Sequence, residues 1–584
     1  MKSYKYKVLA FGMALASVAS CSDSFLDKTP DERTEIDTEE KVVQLLVSAY
    51  PEGNPAWVGE ISSDNLIDNQ APHVPSNPND RKEGLTVHYN YSAYQKWDDE
   101  LFRFDPAETA TYSAGDSPGY LWMSYYSSIA TVNHALAGID RVCPDGNLSA
   151  KLKAAKAEAL LLRAYDHFQL VNFFSKAYKD EESSKNDVGV PYVTEIEDVV
   201  SKKYDRGNVA DVYKKIGEDL EAGLSMMSDI NYTTAPKYHF NSNAAHAFAA
   251  RYYLYARNYE KVIEHANEVL GTDSASFQRM TMDLSQFSGC STLSDYANVW
   301  HDPAQPGNLM MLDTYSLLQR RMFGCRYSYA GQAASDALMI NSKHRSLWSG
   351  YICPAISLVS GQLFSSSGSD YGFFSSKIGE HFQYTDKVSG IGYSHGVYRA
   401  FTSNELLLDR AEAYAMLGKY KEAADDLRWF WNCQLRAMDA EDFKQYVTGG
   451  YTNFMTNAEF TDYYADANNI NCFADWNFTQ NMSPKYVVPA EAVPYMNCIN
   501  DFRRYETAFN GIRFFDLKRW GIDYNHVVGV SSEIVESTFD SDKRAVEVPW
   551  EAISGGMESS REKVTVDKKA AKAVMDRSSF VVKN

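Results

Sequence analysis

Apolar and polar positions follow the period of an amphipathic helix over much of this chain. Over residues 121–139, Trp122, Tyr126, Ile129, Asn133, Leu136 and Ile139 recur at steps of three and four. The same steps line up Leu161, Ala164, Phe168 and Val171 over 154–174, and Val212, Ile216, Leu220 and Leu224 over 209–226. Such spacing gathers apolar side chains on one stripe and predicts three helices, each with a buried face. Two later stretches form a repeat. ARYYLYARNYEKVIEHANEVL, from Ala250, aligns with AEAYAMLGKYKEAADDLRWFW, from Ala411, matching Tyr253 to Tyr414 and Tyr259 to Tyr420. Each reads as a helix, a tight turn at Arg257-Asn258 or Gly418-Lys419, and a second helix. That is the unit of a tetratricopeptide array. The predicted fold class is mainly all-α, a tetratricopeptide-type scaffold interrupted by long insertions.

The insertions have another texture. Residues 64–111, 289–396 and 449–494 are rich in Gly, Ser, Asn, Pro and aromatics and lack a sustained helical period. Loops of that length are uncommon in compact domains and are often functional. The start of the chain differs again. Lys2, Lys5 and Lys7 precede VLAFGMALASVAS, a charged start, an apolar run and a small-residue exit that together form an export signal. The run is shorter than the roughly 20 apolar residues of a spanning helix. Val18-Ala19-Ser20-Cys21 resembles the bacterial lipobox, whose cysteine receives a diacylglycerol when the signal is cut. A plain cleavage site beside an incidental cysteine is the competing reading. The organisation expected is a signal over 1–20, lipidated Cys21 with a polar tether over 21–40, and one domain over 41–584.

Charge and composition narrow the partners. With 57 basic and 77 acidic residues the formal charge is −20, the opposite of what phosphate backbones require. Beyond Cys21 the chain has seven cysteines, none spaced as C-x-x-C, so neither a disulfide framework nor a zinc knuckle is indicated. Aromatic residues make up 14% of the chain, 40 of them Tyr. Tyr and Trp join an apolar face to a polar handle, which suits both helix packing and flat, hydroxyl-bearing ligands such as sugars. No H-E-x-x-H, G-x-x-x-x-G-K-[ST] or G-x-S-x-G occurs, so no enzyme class is singled out. Asp462, Asp466, Asn468 and Asn471 are rich in oxygen but lack the glycine and terminal glutamate of a calcium loop. No cofactor or metal is expected.

In order along the chain come the lipobox, SDSFLDKTP, RAYDHFQLVNFFSKAY with GVPYV (163–193), VADVYKKIGEDLEAGL from Val209, AAHAFAARYYLYARNYEKVIEHA from Ala244, NELLLDRAEAYAMLGKY from Asn404, RRYETAFNGIRFFDLKRWG from Arg503 and VEVPWEAIS from Val546. This series resembles the SusD/RagB family of Bacteroidetes outer-membrane lipoproteins over nearly the whole chain. Phe502-Arg503-Arg504 departs from the Glu-Arg that commonly opens the late motif. The resemblance implies a surface-exposed, lipid-anchored binding protein that is not an enzyme. It implies a SusC-like TonB-dependent transporter as partner and an oligosaccharide or polysaccharide as ligand. A peptide ligand is the alternative within the family, and a surface glycoside hydrolase is the alternative of another class.

Candidate ligand contacts are the aromatic and acidic residues of the insertions. Trp57 stands near Asp64 and Asn65, and Trp97 is followed by Asp98 and Asp99. Trp300, Trp348 and Tyr371 lie in the second insertion. Packing is the competing reading for each of them. Arg163, Arg410, Glu412, Arg513, Asp516 and Arg519 fall within scaffold segments and are expected to form structural ion pairs.

Overall fold

A computed structural model describes residues 36–71, 94–197, 202–322, 326–329, 363–365, 373–435 and 486–561. The scaffold helices begin where the local chemistry places them. Ser117 caps α4 (Pro118–Val142), Ser149 caps α5 (Ala150–Phe174) and Asn208 caps α6 (Val209–Leu224), each side chain accepting a backbone N–H of the first turn. Asn241 and Asn258 do the same for α7 (Ser242–Tyr255) and α8 (Tyr259–Leu270), and Thr402 for α12 (Ser403–Met416). Each such cap contributes about 1 kcal/mol.

The remaining helices are α1 (Glu39–Val47), α2 (Ala56–Ile61), α3 (Lys96–Phe102), α9 (Ser274–Arg279), α10 (Leu293–Trp300), α11 (Leu318–Met322), α13 (Tyr420–Leu435), α14 (Val493–Glu506), α15 (Ile512–Trp520) and α16 (Trp550–Ser554). The repeat read from the sequence is a repeat of structure. In the turn from α7 to α8, Arg257 has φ +63° and the Asn258 N–H bonds the Tyr253 carbonyl at 2.8 Å. In the turn from α12 to α13, Gly418 has φ +72° and the Lys419 N–H bonds the Tyr414 carbonyl at 2.8 Å. Both are left-handed C-terminal caps, in the register of the sequence alignment. Helices α4, α5 and α6 pack in series, α7 packs on α8, and α8 on α12, which also carries α13 and α14.

Helix α5 is buried well beyond the stripe that its period predicts. Every residue from Ala157 to Phe174 is inside, because α1, α4, α6 and α7 surround it. Its polar residues are matched instead of exposed. Arg163 pairs with Asp219 at 2.7 Å, and His167 joins the Arg163 carbonyl to the Val193 N–H.

The second insertion holds a sheet that the period did not reveal. Strands β2 (Asn308–Thr314), β6 (Glu380–Asp386) and β7 (Ile391–Thr402) form an antiparallel sheet in the order β2-β7-β6, and β7 runs into α12 at Thr402. Strand β1 (Ile67–Asp68), from the first insertion, pairs antiparallel with β3 (Tyr327–Ser328), from the second. The other short pairs are β4 (Leu363–Ser365) with β5 (Phe373–Ser375), and β8 (Tyr524–Val528) with β9 (Glu533–Ser537). Among the described residues no helix is long and apolar enough to cross a membrane.

Candidate functional site

The pairing of β1 with β3 brings two insertions, far apart in sequence, to one corner of the scaffold. Arg326 grips Asp68 with two hydrogen bonds, of 2.9 and 2.7 Å, and reaches Asp99 at 3.2 Å. Its guanidinium lies 5.0 Å from the ring centroids of both Tyr94 and Tyr327. The Tyr327 hydroxyl donates to Asp99 at 2.6 Å. Ion pair, stacking and hydrogen bond together hold the end of β1, the approach to α3 and β3 in one arrangement.

A second arginine organises the adjoining layer. Arg321 lies 4.5 Å from the Trp97 ring and 5.5 Å from that of Trp57, and contacts Asp98 and Asp116 at 3.3 and 3.2 Å. The Trp57 indole N–H donates to Asp98 at 2.7 Å. Burial pushes the Asp98 and Asp116 carboxyls up from the usual range, against the pull of Arg321. Below these, Arg513 holds Asp64 through bonds of 2.7 and 2.9 Å. Burial raises the Asp64 pKa, but Arg513 and Arg504 outweigh it and hold the carboxyl well below its ordinary value. Asn65 donates to Glu60 at 3.0 Å and accepts from Arg504 at 3.0 Å.

Six residues singled out in the sequence therefore converge here: Trp57, Asp64, Asn65, Trp97, Asp98 and Asp99. Their exposure separates them. Trp57, Asn65, Trp97 and Asp98 are at most 3% exposed, so in this arrangement they offer no face to a ligand. That corrects their reading as contacts, and the physical reason is the arginine packed over both indoles and the bonds already made by the amide and the carboxylate. Asp64 is likewise committed to arginine. The accessible rim consists of Tyr94, Asp99 and Arg103, with Arg103 bonded to Asp99 at 3.1 Å and to Glu533 at 2.8 Å.

Trp300 is elsewhere. It is buried with Phe287, Met282 and Leu284, and both Lys377 and Arg399 lie over its ring at about 5 Å. Its indole N–H donates to Ser376 at 3.1 Å. It too is a packing residue here. Trp348, Tyr371, Cys21 and the oxygen-rich stretch at Asp462 lie outside the described residues. The scaffold charges form the expected pairs: Arg410 with Asp426, Arg519 with Glu412 and Asp516, and Arg513 with Asp64. Arg321, Arg326, Asp68 and Asp116 were not legible as site residues, since their partners are set by pairing across more than 200 residues. Among the described residues, no three histidine, cysteine or carboxylate side chains are placed to hold a metal ion.

Residues 24–254 match a family described as starch-binding and associating with the outer membrane, SusD-like, and residues 357–580 match the SusD family. The chain belongs to the SusD/RagB family. Solved SusD structures share its fold. A SusD superfamily protein from Bacteroides thetaiotaomicron is 16% identical with a TM-score of 0.54, covering 91% of this chain and 100% of its own. One from Bacteroides vulgatus is 16% identical with a TM-score of 0.53, covering 90% of this chain and 98% of its own. A SusD-like carbohydrate-binding protein from Bacteroides vulgatus is 16% identical with a TM-score of 0.51, covering 89% and 96%. At these identities the likeness is one of fold. No curated protein matches the sequence significantly.

Proposed function

We propose that this SusD-family chain captures a glycan at the outer membrane and hands it intact to a TonB-dependent transporter. The observation that carries the reading is the match of residues 24–254 to a family described as starch-binding and associating with the outer membrane. A carbohydrate-binding protein of the same fold supports it. In this reading Cys21, just before the matched region, carries the lipid that keeps the protein at the cell surface.

The corner described above is the ligand platform of this proposal. Tyr94 supplies an aromatic surface, and Asp99 and Arg103, paired with each other but still 28% and 27% exposed, supply an acceptor and donors for sugar hydroxyls. Trp57, Trp97 and Asp98 act from beneath by fixing Arg321 and the start of α3. Trp348 and Tyr371 are proposed as further contacts. Binding, and not bond cleavage, is the task these groups suit: the carboxylates of the corner are held by guanidinium, hydroxyl or N–H groups, which fixes their position.

The test is electrophoresis of the soluble chain, from Ser22 onward, through gels containing starch, xylan, arabinan or mixed-linkage β-glucan. Retardation by one polysaccharide, weakened in Tyr94→Ala and Asp99→Ala, with no sugar released on incubation, is expected. Released oligosaccharide overturns the non-catalytic reading. Free migration in every gel overturns the glycan reading and turns attention to peptides.

A further inference from the structure

Helices α7 and α8 lie against each other and carry one histidine each at their contact. The Nδ1 atoms of His246 and His265 face one another at 3.0 Å. Two histidines used structurally elsewhere spend both ring nitrogens on the fold. His167 joins the Arg163 carbonyl to the Val193 N–H, and His526 lies between the carbonyls of Phe102 and Ser63. His265 differs from these two. Its Nδ1 faces only another histidine, and its Nε2 is buried without a partner. With one ring protonated on Nδ1 the contact is an N–H···N hydrogen bond; with both protons on Nε2 the same two nitrogens present a pair of lone pairs instead.

The geometry suits chelation. Imidazole nitrogens bind first-row divalent ions at about 2.0–2.1 Å, so donors 3.0 Å apart subtend roughly 94° at the ion. That is the cis angle of a square-planar or octahedral centre, the preference of Cu²⁺ and Ni²⁺. Tyr253 stacks on His265 with its ring only 5° from parallel, which fixes the plane of that imidazole. The surroundings are acidic: Glu264 and Glu268 act on His246, and Glu264 and Glu221 on His265, with Lys261 the opposing charge. His246 is only half-buried, which leaves an approach from solvent.

We propose that His246 and His265 form an interhelical two-histidine chelate for a first-row divalent ion, Cu²⁺ binding most tightly, with water or an external donor in the remaining positions. Each imidazole coordinates through Nδ1 and carries its proton on Nε2, so binding changes a tautomer and releases no net proton. The ion clamps α7 to α8 across the turn at Arg257. Because the folded pair binds it more tightly than single histidines of the unfolded chain, it raises stability by mass action.

The test is titration of the untagged chain from Ser22 with CuCl₂ in PIPES buffer, which supplies no nitrogen ligand to copper, followed by calorimetry, thermal unfolding and electron paramagnetic resonance. One saturable equivalent is expected, with superhyperfine splitting from two nitrogens and a raised unfolding temperature. His246→Gln, at a half-buried position, is expected to weaken binding by at least about tenfold and remove the stabilisation. His265→Gln should do the same, with circular dichroism reporting whether that variant folds. No equimolar binding by the wild type, or binding by His246→Gln with unchanged affinity and spectrum, overturns the proposal.

Discussion

Replacing Arg326 with Met would test whether the corner is held by charge. Arg326 and Asp68 are both buried, at 6% and 1% exposure, so solvent does little to screen the pair. Met keeps the apolar stem against Tyr94 and Tyr327 while removing the guanidinium. Breaking a buried ion pair from one side costs about 3 to 5 kcal/mol, because the remaining charge stays buried. Asp68 also accepts the N–H groups of Gln70 and Gly529, at 2.9 and 2.8 Å, which places the cost near the lower end. The Asn69 N–H, bonded to the Arg326 carbonyl at 2.9 Å, reports on this pairing directly. A loss of about 3 kcal/mol makes its hydrogen exchange about a hundredfold faster, since each 1.4 kcal/mol is tenfold. Amides of α7 and α8 should keep their protection. The double variant Asp68→Asn with Arg326→Met removes both charges and should recover much of the loss. Exchange at Asn69 within about threefold of wild type in Arg326→Met would refute the argument.

Four further outcomes follow from the same structure. Trp97→Ala should destabilise the protein by about 3 to 5 kcal/mol by leaving a cavity beside Arg321, whereas Trp97→Phe should keep glycan binding; selective loss of binding at unchanged denaturation midpoint in Trp97→Ala would place the indole in the site after all. His167, His265 and His301 are held neutral by burial, pushed from 6.5 to about 3, 4 and 3. The unfolded chain takes up protons that the fold refuses, so stability is full above about pH 6.5 and falls as pH drops towards 4; a denaturation midpoint that stays flat across that window would contradict this. Gly418→Ala, at φ +72°, should cost about 1 kcal/mol, read as a lowered urea midpoint. Cys21→Ala should move the protein from the outer-membrane fraction to the soluble one, as judged by immunoblot of fractionated cells.

The scaffold was legible because its signals are local. Caps, a 3.6-residue period and a left-handed turn residue all lie within one or two turns of one another, and α7–α8 and α12–α13 carry them in the same register. Helix α5 shows the limit of that reading. Its stripe of Leu161, Ala164, Phe168 and Val171 was visible, but Asp219, which pairs with Arg163, lies in the next helix, 56 residues on. The sheet of the second insertion was missed for another reason. NLMMLDT is a short apolar run buried at all but Asp313, and such a run has no period to distinguish a strand from a piece of helix. The candidate corner was legible in composition and not in exposure. KWDDELF marked Trp97, Asp98 and Asp99, yet whether each faces ligand or core is decided by Arg321 and Arg326, more than 200 residues away, and nothing in the local pattern carries that information.

Capture without chemistry is tested most directly by isothermal titration of the soluble chain with oligosaccharides cut from the polysaccharide that retards it, with chromatography of the cell contents afterwards. The account predicts saturable heat at one ligand per chain, weaker in Tyr94→Ala, and the oligosaccharide recovered intact. No heat with any such oligosaccharide, or shorter products in the cell, would contradict it.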